Sequence, residues 1–133
     1  MTDVTIARHL QTDLRTVWRA FTDSAQLESW LWPFPTTATI DLRVGGTWRV
    51  EASDPAMGAG GPITVIEPEE RLELDWRWDG DGHASRVSIM LRPSTDGGVD
   101  CVVVHPGNSD AAEGANHQQG WDDCLDRLVR RFG

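Results

Sequence analysis

Seven tryptophans among 133 residues are the side chains most able to build a site, and His117 and His105 are the polar groups placed nearest to them in the pattern. Trp30, Trp48, Trp76, Trp78 and Trp121 each fall on the apolar side of the local repeat. An indole offers a wide flat face and one N–H that needs an acceptor when buried. Core packing accounts for any one of these rings alone. Five aimed at one interior are hard to pack solid, which predicts a pocket for a flat, apolar small molecule. His117 stands one turn before Trp121 on the same helical stripe. It reads either as a core histidine satisfied by a carbonyl or water, or as a polar anchor or acid/base tuned by burial. If the chain is an enzyme, His117 is its candidate catalytic group; His105 is a thinner candidate. Gly120 costs a helix roughly 1 kcal/mol relative to Ala, so its presence beside that stripe predicts close approach by the sheet or by a ligand. The expected ligand-binding set is therefore Trp30, Trp48, Trp76, Trp78, His117, Gly120 and Trp121.

Other chemistries find less support. Asp79-Gly-Asp-Gly-His83 suggests a calcium loop, but Met90 stands where the closing Glu is needed, so a solvated hairpin turn is expected. No phosphate-cradling glycine pattern, nucleophile elbow or zinc-binding spacing occurs, and neither a metal nor a cofactor is expected. Cys101 and Cys124 lie on inward faces and read as small core residues; a disulfide between them stays geometrically open but is disfavoured in a cytoplasmic setting. The net charge is −9, from fourteen Asp and seven Glu against twelve Arg and no Lys. Such a chain is repelled by nucleic acid and by anionic membranes. With no apolar run of signal-peptide or membrane-spanning length, the expectation is one cytoplasmic domain over residues 1–133, with a homodimer left open.

The elements that must position these groups follow from periodicity. Residues 3–10 alternate as a short strand. Leu14, Val17, Trp18 and Phe21 make one helical stripe, with Thr12 or Asp13 as N-cap. Asp23 caps a second, shorter helix carrying Leu27, Trp30 and Leu31, and Pro33 ends it. From Thr37 to His105 the period becomes two. Ile40, Leu42 and Val44 alternate toward a Gly45-Gly46 hairpin, and Trp48 and Val50 return. Residues 53–62, rich in Gly and Pro, read as a mobile loop that would gate a pocket. Strands follow at 63–66, around Leu72, Leu74, Trp76 and Trp78, around Val87, Ile89 and Leu91, and from Val99 to His105. Beyond Pro106, a helix capped by Asp110 and Glu113 carries His117, Trp121, Cys124, Leu125, Leu128 and Phe132 on one stripe; over 111–132 it is about 33 Å long. The order β-α-α, six strands, then a long α argues an α+β fold in which a curved antiparallel sheet buries its apolar face against the C-terminal helix.

Five ordered motifs then carry a family resemblance. They are Val17-Trp-Arg-Ala-Phe-Thr-Asp23, Leu27-x-x-Trp30, Asp41-Leu-Arg-Val-Gly-Gly-Thr-Trp-Arg49, Val65-Ile-Glu-Pro-Glu-Glu-Arg-Leu72, and His117-x-x-Gly-Trp121-x-x-x-Leu-x-Arg-Leu128. The chain resembles the bacterial family related to the C-terminal domain of the heat-shock-protein-90 ATPase activator, within the START-like, or SRPBCC, helix-grip superfamily. The resemblance implies a sheet gripping a long helix around an apolar ligand cavity. Two departures border the implied pocket mouth: Trp30-Leu-Trp-Pro33 where the family often has Trp-Trp-Gly or Trp-Phe-Gly, and His105-Pro-Gly-Asn108 where it tends to place an aromatic. Ligand identity is therefore not carried over. Binding of a small hydrophobic ligand, as carrier, sensor or sequestering protein, ranks first. An enzyme of the polyketide cyclase/aromatase or hydrolase-like kind is the alternative, and a co-chaperone role ranks third.

Overall fold

The computed structural model describes residues 2–80, 84–108 and 111–132. Its elements are β1 (Thr2–Leu10), α1 (Leu14–Thr22), α2 (Ser24–Glu28), β2 (Thr37–Ile40), β3 (Thr47–Ser53), β4 (Ala56–Glu67), β5 (Arg71–Trp78), β6 (Ser85–Pro93), β7 (Val99–Asn108) and α3 (Ala111–Phe132). The seven strands form one antiparallel sheet in the order β1-β7-β6-β5-β4-β3-β2. Strands β2 to β7 are a plain meander, and β1 closes it by pairing Val4 with His105 and Ile6 with Val103. The alternation predicted for the sheet is the one that forms the core. Leu72, Leu74 and Trp76, then Val87, Ile89 and Leu91, then Val99, Cys101, Val103 and His105 all turn to the buried face. α3 lies on that face with Trp121, Cys124, Leu125 and Leu128 inward.

Helix ends leave carbonyls without intrahelical partners, and the two short helices are held by the way those are satisfied. Asp13 and Asp23 accept from Thr16 and Gln26 as N-caps of α1 and α2. At the other end of α1, the Trp30 indole donates to the Ala20 carbonyl at 2.9 Å and the Trp48 indole donates to the Phe21 carbonyl at 3.0 Å. Arg127, from α3, donates to the carbonyls of Trp30 and Leu31 just past α2. Arg8 on β1 reaches Asp122 at 2.7 Å and Asp126 at 3.2 Å, pinning α3 across the sheet edge.

Four segments differ from the sequence reading, the first being α2, which ends at Glu28, so that Trp30 and Leu31 follow the helix and are not carried on it. Residues 53–62 are not a mobile loop. β3 and β4 pair from Thr47↔Pro62 to Ser53↔Ala56, so the turn between them is only Asp54 and Pro55. Glycine depresses strand propensity, which hid this strand, but the glycines serve close packing. A Cβ on Gly60, which has φ +146°, would collide with the Trp48 carbonyl, and one on Gly61 with the Asp75 carbonyl. Bonded to β3 on one side and β5 on the other, the segment is part of the wall and not a gate. The Gly45-Gly46 hairpin is also longer than expected: pairing stops at Ile40↔Trp48, and 41–46 forms the turn. Leu42 and Val44 consequently stand 44 % and 64 % exposed. The last strand runs on to Asn108, past the His105 boundary expected for it. Asp110 and the 81–83 turn lie outside the described residues.

Trp48→Phe keeps the ring but leaves the Phe21 carbonyl buried without its donor. Urea denaturation is expected to show a loss of about 1–3 kcal/mol, the cost of stranding a buried polar group; an unchanged midpoint would show that the indole N–H contributes nothing to holding α1.

Candidate functional site

A cavity of about 50 Å³, open to solvent, lies between α3, the outer end of β5 and the segment after α2. Its walls are Leu31, Trp32, Trp76, Trp78, Asn116, His117, Gly120, Trp121 and Cys124. On α3 the lining positions 117, 120, 121 and 124 repeat at helical spacing, so one face of one helix supplies half the wall. β5 supplies Trp76 and Trp78 from the same face of the sheet.

The rings are ordered. Trp32, Trp78, His117 and His105 form a ladder of nearly parallel planes, with interplanar angles of 11°, 13° and 18° in turn. The His105 and His117 centroids are 4.2 Å apart. Trp76 stands edge-on to this ladder, at 84° to Trp78 and 69° to His105, and its centroid is 5.7 Å from Trp121. The ladder runs from half-buried Trp32 to His105, which is entirely buried.

Hydrogen bonds assign the imidazole protons. The Trp78 indole donates to His117 Nε2 at 2.8 Å, and the Trp121 indole donates to His105 Nδ1 at 3.1 Å. An indole can only donate, so both of those nitrogens are unprotonated. His105 must then carry its proton on Nε2, which lies 2.6 Å from Ser85 Oγ. Ser85 accepts that bond, and its own hydroxyl is oriented to the Trp76 carbonyl at 3.4 Å. A serine within reach of a histidine suggests a nucleophile and base, but here the histidine is the donor and has no lone pair to take the serine proton. The thiols are quiet as well. Cys101 and Cys124 are both free and buried, and burial pushes them up to about 12 and about 11. Among the described residues, no three His, Cys, Asp or Glu side chains gather as a metal site.

Of the expected residues, the cavity brings together Trp76, Trp78, His117, Gly120 and Trp121. Trp30 and Trp48 are not in its lining; their N–H groups are committed to the carbonyls of α1, which turns both rings into the core. Gly120 lines the cavity, and of the two approaches expected there the sheet's is not made. A Cβ there would have nothing within 4 Å, so the glycine borders open space. Cys124 and Ser85 were not anticipated as neighbours of the site, and Leu31 and Trp32 were placed at its mouth only through the family resemblance. Trp32 follows the second helix in a Pro-punctuated stretch with no period, so no phase assigned it a face. Cys124 could have been found, since it continues the 117–121 stripe by one turn.

This architecture, an antiparallel sheet closed on a long C-terminal helix with two short helices after the first strand, is a helix-grip fold. Residues 11–133 match the model of the family described as activator of Hsp90 ATPase homolog 1-like protein, and the chain belongs to that family. Among solved structures it is similar to protein CV1439 from Chromobacterium violaceum, at 30 % identity and TM-score 0.83, over 98 % of this chain and 96 % of that one. The AHSA1 protein SPO3351 from Silicibacter pomeroyi has the same fold at 20 % identity and TM-score 0.80, over 98 % and 96 %. DynU16, from the dynemicin biosynthetic locus, shares it at 24 % identity and TM-score 0.83; 96 % of this chain is covered but only 46 % of DynU16. A search of curated proteins returns no match. Among the described residues, no helix is long and apolar enough to cross a membrane.

Because the Gly120 Cβ position is empty, Gly120→Ala is expected to raise stability by about 1 kcal/mol through helix propensity alone. The urea midpoint checks it, and a fall would mean that sheet or helix closes over that position.

Proposed function

We propose that the chain binds a small, neutral, flat apolar molecule between β5 and α3, as a carrier, sensor or sequestering protein. The observation that supports this best is the make-up of the wall: four indoles, one leucine, one thiol and one glycine beside the His117 imidazole and the Asn116 amide, with no carboxylate, guanidinium or ammonium among the lining residues. A charged ligand would lose its hydration there without gaining a counter-ion, whereas ring faces reward a flat apolar one. Trp76, Trp78, His117, Gly120 and Trp121 are the binding residues of this reading, joined by Trp32. The size sets a limit. An engineered cavity that holds benzene is about 150 Å³, against about 50 Å³ here. A ligand of one ring or more therefore enters by displacing a wall, and half-buried Trp32, stacked on Trp78, is the side chain placed to yield.

The cyclase or hydrolase alternative needs an imidazole nitrogen turned to the ligand. His117 Nε2 and His105 Nδ1 each already receive an indole N–H, which favours a binding role for the pair.

Gly120→Leu tests the reading, since its side chain grows from an empty Cβ position at the cavity wall and suits a helix. Saturable quenching of tryptophan fluorescence by naphthalene is expected for the wild-type protein. In Gly120→Leu the affinity should fall at least about tenfold with no loss of stability. No saturable response to naphthalene or flavone would refute the proposal.

A further inference from the structure

One polar atom among the side chains that line the cavity is buried without a partner. Trp76 is only 5 % exposed and lines the cavity. Its Nε1 is buried with no hydrogen-bond partner. The rings packed around it cannot supply one. Trp48 donates to the Phe21 carbonyl, Trp78 to His117, and Trp121 to His105 Nδ1, while His105 Nε2 is engaged with Ser85. Arg71 Nε, also buried and unpartnered, belongs to a different cluster, beside Glu73. A buried donor left without an acceptor carries its full desolvation penalty. A buried water makes two to four hydrogen bonds, and the rings packed directly on Trp76 offer it none, since their polar atoms are already paired. An acceptor carried by a molecule that enters by displacing a wall would supply the missing bond.

We propose that Trp76 Nε1–H is the specificity-determining donor of this site, and that the site takes a neutral aromatic compound carrying a carbonyl or ether oxygen in preference to a hydrocarbon of the same shape. This rests on the ligand-binding reading above and adds to it one atom of the protein and one atom of the ligand. An anion is disfavoured as the source of the oxygen, since no cationic side chain lines the cavity. A pure hydrocarbon enters as well as its shape allows but leaves the indole N–H stranded.

Acetophenone and α-methylstyrene provide the test. They are single-ring probes of nearly equal shape that differ in an oxygen against a methylene. Dissociation constants of both are measured by calorimetry for the wild-type protein and for Trp76→Phe, which keeps an aromatic ring and removes the N–H. The change in α-methylstyrene affinity accounts for the altered packing, as in a double-mutant cycle. Acetophenone is expected to lose about tenfold more than α-methylstyrene on substitution. Nitrogen-15 spectra of the wild-type protein give a second readout that does not depend on the variant folding: the Trp76 indole N–H resonance should move downfield with acetophenone and not with α-methylstyrene. Equal losses for the two probes, or an unmoved Trp76 resonance in acetophenone-saturated protein, would overturn the role of Trp76 while leaving ligand binding intact. If neither probe binds the wild-type protein but naphthalene or flavone does, the preference assigned to Trp76 is overturned; if none of the four binds, the ligand-binding reading falls with it.

Discussion

The interior of this protein is arranged by one demand, that an indole N–H taken out of water find an acceptor. Trp30 and Trp48 meet it with the last carbonyls of α1, which have no partner inside their own helix. One set of bonds thereby satisfies two helix-end acceptors and two buried donors, and it ties α1 to the chain after α2 and to β3. Trp78 and Trp121 meet it with imidazole nitrogens. Those bonds hold His117 of α3 against β5 and His105 of β7 against α3, so the histidines act as joints between helix and sheet. Trp76, at the centre of the ring cluster, is left over.

The cavity lies beside the contacts that anchor α3 to the rest of the fold. Arg8 grips Asp122 and Asp126 at the β1 edge, and Arg127 grips the backbone after α2. Between those anchors and the first turns of α3, Gly120 contributes no side chain where the helix passes β5. On the sheet side, the glycines of β4 let neighbouring backbones approach, and the pairing with β5 shifts register between Ile63 and Val65. Bulges of this kind bend a sheet and increase its twist.

Most of the architecture was legible in the chain because it rests on local repeats. Leu72, Leu74 and Trp76 alternate, and His117, Trp121, Cys124, Leu125 and Leu128 follow a helical stripe; both patterns reappear as buried faces. β4 was not legible, because Met57-Gly-Ala-Gly-Gly-Pro62 has low strand propensity and its pairing is a property of its neighbours. Leu42 and Val44 misled in the opposite direction: they alternate as a strand should, but the turn that contains them starts at residue 41 and leaves them outside. Alternation assigns faces only where there is a partner strand to define them.

For the site, the sequence by itself determined which rings face inward and that His117, Gly120 and Trp121 share one helical face, since period and residue type set those. It also determined the family, through motifs spread along the chain. Only the tertiary structure decided which inward tryptophans border open space and which close the core. That choice depends on where each N–H finds its acceptor, and the acceptors are distant in sequence: ten residues away for Trp30, 27 for Trp48 and 39 for Trp78. No local repeat encodes partners at such separations. The packing of helix on sheet brings them together, and it leaves Trp76 as the one buried indole with a hydrogen bond still to make.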